Sequence, residues 1–249
     1  MLRYHMKLNY KLSNIDFKPG TVILAGAGPG AEDLVTLKVY NAIKLADVII
    51  YDALVNDNLL KDTKKTTILI FGGKTKTKKA CSQQEINEWM IYHAKKNNRV
   101  LRLKGGDPSF FSRASQEVKF LRTNLIKFQV FSGVTSSQQA IKRINYSFFN
   151  ETEICNFITG HRRINNKSIS FNFEKVYKNK GRLIIYMGIG QIKKISSQLL
   201  NLGMSKNTKV KIISNTSFSF EKIIHTNLYD VEDAIMSNNI TPPSIIIIN

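Results

Sequence analysis

Two α/β domains, the first on a mostly parallel sheet and the second on a mixed one, are what the order of segments in this chain predicts. Three observations carry that expectation. Short apolar runs alternate with helical stripes from residue 21 onward, glycine-bearing turns follow several of the runs, and beyond Gly133 strand-like segments crowd together with fewer helices between them. At 249 residues the chain has the length for two such domains. The expected division is an N-terminal extension over 1–18, a first domain over 19–132 and a second over 133–249.

Residues 21–25 read as a buried first strand, and Leu34, Leu37, Val39, Ile43 and Ala46 approximate a helical stripe before the apolar run 48–51, which makes a βαβ unit. Residues 68–71 read as a third strand that ends at Gly72-Gly73. Ser82 and Glu85 then stand at capping-box spacing, and Ile86, Trp89, Met90 and His93 follow at i, i+3, i+4 and i+7. His93 on that stripe is a packing residue. Residues 99–103 and 128–131 supply two more strands around a helix over 115–122. In the second half, 155–159, 183–187, 209–213, 222–225 and 244–248 read as strands. Two clear helices interrupt them, over 192–202 and 231–236, so a mixed sheet is expected. The basic stretch 162–172 reads as a mobile loop with little to bury.

Composition narrows the function. A hydrophobic fraction of 43% with 22% charged residues is globular. Residues 1–17 hold no continuous apolar stretch of the kind a secretory signal needs, and the longest apolar run, 245–248, is far too short to span a bilayer, so a soluble protein is expected. Cys81 and Cys155 form no C-x-x-C, and His5, His93, His161 and His225 have no ligand spacing. A reducing cytoplasm and chemistry without a metal are therefore expected. The net charge of +19 leaves three readings open: lysine-rich compositional drift, a nucleic acid partner, or a small substrate carrying several carboxylates.

Three segments carry the chemistry. Gly26-Ala27-Gly28-Pro29-Gly30 follows the first strand, where backbone amides can approach a ligand closely. Its proline removes an amide and its spacing is not the dinucleotide fingerprint, so a pyrophosphate cradle is a poor fit. Lys104-Gly105-Gly106-Asp107-Pro108 is a second glycine-bearing strand end, with Asp107 either a hydrogen-bond acceptor for a ligand or an Asp-Pro turn starter. Gly133-Val134-Thr135-Ser136-Ser137 places hydroxyl residues at an expected helix start, where capping alone explains them. Ligands in open α/β sheets bind at the carboxyl ends of strands, so such ends point to one pocket.

Taken in order, the segments 26–30 with 34–38, 46–52 with Leu54-Val55, Gly73-Lys74, 83–87, 102–108 with Phe111 and Arg113, 133–136, 159–161, 186–188 and 243–247 resemble the uroporphyrinogen-III C-methyltransferase family of the tetrapyrrole methylase superfamily. The resemblance covers the chain from about Pro19 onward. It implies two α/β domains, a homodimer, and S-adenosylmethionine bound in the cleft between the domains, with S-adenosylhomocysteine as product. Carried over by position, the cofactor contacts are Pro29, Gly105, Gly106, Asp107, Phe110, Thr135, Ser136, Met187 and Thr216, the last standing where the family usually has glycine. Asp52 is implied as proton acceptor and Lys74 as proton donor, chemistry that suits a carboxylate and an ammonium. Arg113 and Lys38, with the 76–79 lysine run, are implied in drawing in a substrate with several carboxylates.

Departures from the family pattern fall at Ala53, where arginine is usual, at Ser132, where proline is usual, and over 145–151. The implied activity is methylation of uroporphyrinogen III at C2 and C7 to precorrin-2, on the way to cobalamin or sirohaem, with no fused dehydrogenase or chelatase activity. The alternatives are a methyltransferase for a later precorrin, a basic RNA-methylating or RNA-binding protein, and a catalytically idle tetrapyrrole binder.

Overall fold

The structure, a computed structural model, describes residues 15–73, 81–144, 154–160, 163–164, 167–168 and 173–249. The chain divides into two compact units, Met1–Val134 and Thr135–Asn249.

In the N-terminal unit, β1 (Val22–Gly26) leads through a short 3-10 turn to α1 (Leu37–Leu45), and β2 (Val48–Tyr51) follows. A further 3-10 segment, Asp57–Asp62, precedes β3 (Ile68–Phe71), then α2 (Gln83–Lys95), β4 (Val100–Lys104), α3 (Ala114–Thr123) and β5 (Phe128–Phe131). The five strands form one parallel sheet in the order β3-β2-β4-β1-β5. Period-2 alternation distributes their side chains between two cores. Ile23, Ala25, Ile49, Leu101 and Leu103 face α1, whereas Val22, Leu24, Val48, Ile50 and Val100 face α2 and α3. The capping box at the start of α2 is made in full: Ser82 Oγ accepts from Glu85 N at 3.1 Å, and Glu85 Oε2 accepts from Ser82 N at 2.6 Å.

The C-terminal unit opens with α4 (Ser136–Arg143), then β6 (Cys155–Thr159), the paired two-residue strands β7 (Arg163–Ile164) and β8 (Lys167–Ser168), and α5 (Phe173–Lys178). Next come β9 (Arg182–Tyr186), α6 (Ile192–Asn201), β10 (Lys209–Ser214), β11 (Lys222–Asn227), α7 (Val231–Ser237) and β12 (Ser244–Ile248). Its sheet runs β11-β10-β12-β9-β6. Only the β6–β9 pairing is parallel, so the sheet is mixed. The run Ile245 to Ile248 is buried throughout, between β9 and β10, and each such side chain contributes about 1.5–3 kcal/mol. Ile192, Ile195 and Leu199 turn one stripe of α6 onto this core.

Two expectations need correction here. Among the described residues three helices, not two, lie between the strands of this unit, because the six-residue α5 forms as well, whereas α4 precedes them at the helix start expected after Gly133. Within the stretch expected to be a mobile loop, residues 163–164 and 167–168 pair as strands. Among the described residues no helix is long and apolar enough to cross a membrane.

Candidate functional site

Three strand ends of the N-terminal unit meet backbone to backbone. A Cβ placed on Gly26 would strike Gly106 O and lie 2.8 Å from both N and Cα of Gly133, and one on Gly133 would strike Gly106 O and lie 2.7 Å from Gly26 O. Gly28 and Gly106 exchange two hydrogen bonds, Gly106 N to Gly28 O at 2.7 Å and Gly28 N to Gly106 O at 3.2 Å. Only residues without a Cβ allow this approach. Gly106 itself has φ +72° and open space where a Cβ would point, so its backbone is presented outward. Such a surface fits a ligand that must approach the main chain closely. Asp107 locks the arrangement: its Oδ1 accepts from Ser109 N at 2.6 Å and its Oδ2 from Gly133 N at 2.9 Å, tying the end of β4 to the end of β5. The bond from Ser109 N is the Asp-Pro turn that one of its two sequence readings expects.

Beside these ends, Asp52 sits one residue past β2. Its Oδ1 accepts from Leu54 N at 3.1 Å and Gly105 N at 3.3 Å, and its Oδ2 lies 3.9 Å from Arg102 Nη2. Arg102 and Lys104 stand two and four residues after Val100 along β4 and so share its face, the one covered by α3. On α3, Glu117 falls between Ala114 and Leu121 on the inward stripe and is fully buried. Two buried cations in a strand require a buried anion, and Glu117 supplies it. Lys104 Nζ donates to both Glu117 oxygens at 3.0 Å, Arg102 Nε donates to Oε1 at 3.1 Å, and Gln83 Nε2 donates to Oε1 at 3.2 Å. Arg102 Nη1 donates to the carbonyls of Leu103 at 3.1 Å and Ile50 at 3.3 Å. Burial, reinforced by the neighbouring guanidinium of Arg102, holds the Lys104 ammonium below its ordinary range despite the opposing pull of Glu117 and Asp52.

Asp52, Arg102, Lys104 and Arg113 line one cavity of about 220 Å³, with Gly73, Cys81 and Gln83 at its other walls. At about 30 Å³ per water, this is room for one carboxylate arm of a ligand and not for a macrocycle. Arg113, an exposed residue, takes φ +62° at the start of α3, and Phe111 takes φ +48°. Non-glycine residues in this conformation are uncommon, and the pair sharply turns the loop between β4 and α3.

In the C-terminal unit, β9 and β10 both run antiparallel to β12, so their carboxyl ends lie at one edge, about 10 Å apart across the intervening strand. Met187, half exposed at φ +52°, follows β9. Thr216, buried, follows β10 between Asn215 at φ +52° and Ser217 at φ +71°. Thr135 begins α4, but its hydroxyl makes no cap. It pairs at 2.6 Å with the Tyr186 hydroxyl at the end of β9, which corrects the capping explanation and brings Thr135 and Ser136 to the same sheet edge as Met187. A larger hollow of about 710 Å³ lies at the opposite end of β9, around Arg182, Leu183 and Ile248, and none of the expected site residues lines it.

Within the N-terminal unit, then, the structure groups Pro29, Gly105, Gly106 and Asp107 at the glycine ends and joins Asp52 with Arg113 in one cavity. Phe110 N donates to Asp107 O at 3.2 Å, which places Phe110 on the same loop. Lys38 does not line the Asp52 cavity; its ammonium lies 4.1 Å above the ring of Phe131. Lys74, residues 76–79 and residues 145–151 lie outside the described residues. Sequence alone assigns no role to Arg102, Lys104 or Glu117. Their signal was present as two charges at i and i+2 inside an otherwise apolar strand.

The tetrapyrrole (corrin/porphyrin) methylase family model matches residues 21–232. A uroporphyrinogen-III C-methyltransferase of Methanocaldococcus jannaschii is 35% identical over 232 residues, covering 92% of this chain and 95% of that protein. The chain spans about half the length of relatives named siroheme synthase. Among solved structures, a cobalt precorrin-4 methyltransferase aligns with TM-score 0.79 at 23% identity, covering 92% of this chain and 95% of that one, a likeness of fold alone. A uroporphyrin-III C-methyl transferase from Thermus thermophilus, complexed with S-adenyl homocysteine, aligns with TM-score 0.76 at 26% identity, covering 92% of each chain. The chain belongs to the tetrapyrrole methylase family.

Proposed function

We propose that this protein transfers methyl groups from S-adenosylmethionine to carbons C2 and C7 of uroporphyrinogen III, giving precorrin-2 and S-adenosylhomocysteine. The observation that carries the reading is the likeness to uroporphyrinogen-III C-methyltransferases over nearly the whole of both chains, joined to a cavity that holds a partly exposed carboxylate beside the glycine ends. S-adenosylmethionine, when bound, supplies an electrophilic methyl on a sulfonium sulfur. In this proposal Pro29, Gly105, Gly106, Asp107 and Phe110 of the N-terminal unit hold the donor, together with Thr135, Ser136, Met187 and Thr216 of the C-terminal unit. The outward backbone of Gly106 and the absence of a Cβ there fit such a ligand. Thr216 takes part through its backbone.

The chain's own chemistry is then alignment and proton handling. Asp52 accepts the proton that the tetrapyrrole sheds. Its Oδ1 already takes two backbone N–H groups, so Oδ2 is the atom left for the proton. Lys74 is proposed as the donor that returns a proton, and Arg113 and Lys38 as cations for the substrate's carboxylates. A homodimer in a reducing cytoplasm completes the proposal, in keeping with Cys81 and Cys155 standing outside any disulfide. Incubation with methyl-labelled S-adenosylmethionine and uroporphyrinogen III tests it: label is expected in the tetrapyrrole and to be lost in Asp52→Asn. Label appearing only in added RNA would reject it.

A further inference from the structure

We propose that Glu221 is a positioning residue for S-adenosylmethionine: braced by Arg143, its carboxylate fixes the main chain of Ser217 and so aims the backbone of Thr216 at the donor. The inference rests on the proposed function, in which the Thr216 backbone meets S-adenosylmethionine.

The turn that follows β10 takes two bends that side chains disfavour. Asn215 at φ +52° and Ser217 at φ +71° flank Thr216, and neither is glycine. Something must hold them. Asn215 N donates to Pro243 O at 2.9 Å and Phe218 N donates to Asn215 O at 3.1 Å, which secures the near side of the turn. On the far side Glu221 N donates to Phe218 O at 3.1 Å and folds the chain back, and Glu221 Oε2 accepts from Ser217 N at 2.7 Å. A bond this short is what a charged acceptor gives. The other oxygen, Oε1, lies 3.1 Å from Arg143 Nε, so the carboxylate cannot turn away from Ser217 without breaking an ion pair.

Arg143 ends the helix whose start is itself proposed to hold the donor. Thr135 precedes α4 and Ser136 opens it, and eight residues, about 12 Å, carry the helix to Arg143. One helix thus connects two of the contacts proposed for the C-terminal unit. Thr135 is paired with Tyr186 at the end of β9, and Thr216 is held through Arg143, Glu221 and Ser217. The Glu221 side chain is 12% exposed and that of Arg143 is 53% exposed. An ion pair with one partner so open to solvent adds little to stability, so its removal is read in donor affinity more than in melting.

The test joins KM for S-adenosylmethionine to calorimetric titration with S-adenosylhomocysteine. Glu221→Ala is expected to raise that KM and to weaken S-adenosylhomocysteine by about ten-fold, with kcat at saturating donor and KM for uroporphyrinogen III within about two-fold of the parent. Glu221→Gln keeps an oxygen that accepts from Ser217 N and is expected to recover most of the affinity. Arg143→Ala is expected to weaken the donor by about three-fold and to add nothing on top of Glu221→Ala, because Arg143 acts through Glu221. Losses that add would overturn the part given to Arg143. Should Glu221→Ala not fold, Arg143→Ala, a change at an exposed position, carries the test. Parent affinity in whichever of the two folds, with only a lower melting temperature, would overturn the inference and leave Glu221 a structural residue. A parent protein that binds S-adenosylhomocysteine beside a Glu221→Ala protein that binds it equally well fails the role of Glu221 alone. A parent protein that does not bind it at all fails the proposed function and takes this inference with it.

Discussion

Gly26→Ala probes the junction of strand ends on which the N-terminal half of the site depends. The new methyl would meet Gly106 O and lie 2.8 Å from two backbone atoms of Gly133, so no side chain can swing away to make room. Overpacking a close-packed site costs about 1–3 kcal/mol, and obstacles that are all backbone put this case near 3. Removing a glycine from the unfolded chain returns about 0.4–1 kcal/mol. The net loss is about 2 kcal/mol, which at about 2–4 °C per kcal/mol for a chain of this size lowers the melting temperature by about 4–8 °C.

Gly106→Ala is the matched contrast, because its methyl meets nothing within 4 Å and only the φ of +72° is unfavourable. That strain, about 1–2 kcal/mol, is only partly offset by the same chain-entropy gain, which leaves a net loss of about 1 kcal/mol and a fall in melting temperature of about 2–4 °C. The methyl would nonetheless stand where the cofactor is proposed to approach. Thermal unfolding with titration calorimetry against S-adenosylhomocysteine reads both effects. Gly26→Ala should melt early, and Gly106→Ala should melt nearer the parent while binding at least ten-fold more weakly. A Gly26→Ala protein that melts with the parent would refute the close packing, and a Gly106→Ala protein that binds with parent affinity would refute the approach to Gly106.

Three further outcomes follow from single contacts. Ser82→Ala removes the hydroxyl that accepts from Glu85 N, the side-chain half of the capping box on α2, and should cost about 1 kcal/mol in denaturant unfolding. Thr135→Val leaves the Tyr186 hydroxyl without this partner, costing about 1–2 kcal/mol, and adding Tyr186→Phe should recover part of the loss; an additive double variant would show that the two hydroxyls are not coupled. Burial of Asp47 is outweighed by its hydrogen bonds from Lys64 and the Arg99 amide and by the charges of both side chains, so its carboxyl titrates below the ordinary range. A depressed folded pKa gives stability that is present above the unfolded value and is lost as pH falls through the folded one. Asp47→Asn should therefore be less stable than the parent near neutrality, and the difference should vanish in strong acid.

Local pattern made much of the fold legible. The run Val48–Tyr51 and the strand Ser244–Ile248 could be read to the residue, because an apolar run bounded by polar turns admits little else. The capping box was legible for the same reason, since its partners stand three residues apart. Helix α5 was missed because only Phe173 of its six residues is buried, which leaves no stripe to detect. Thr135 was misjudged because its partner, Tyr186, is 51 residues away, and hydroxyl residues before a helix are ordinarily caps. The same non-locality hid the charge cluster: Arg102 meets Asp52 and Glu117 through strand order and helix placement, which periodicity does not encode. The left-handed turns at Phe111, Arg113 and Met187 were illegible because no glycine marks them. The glycine ends could be located but not their mutual contact, which needs the order β4-β1-β5.

Position of methylation tests the central claim most directly. With S-adenosylmethionine carrying a carbon-13 methyl and uroporphyrinogen III as acceptor, carbon NMR of the product should show two labelled methyl groups, on C2 and C7. Label at any other carbon, or an unlabelled tetrapyrrole in the presence of active protein and donor, would contradict it.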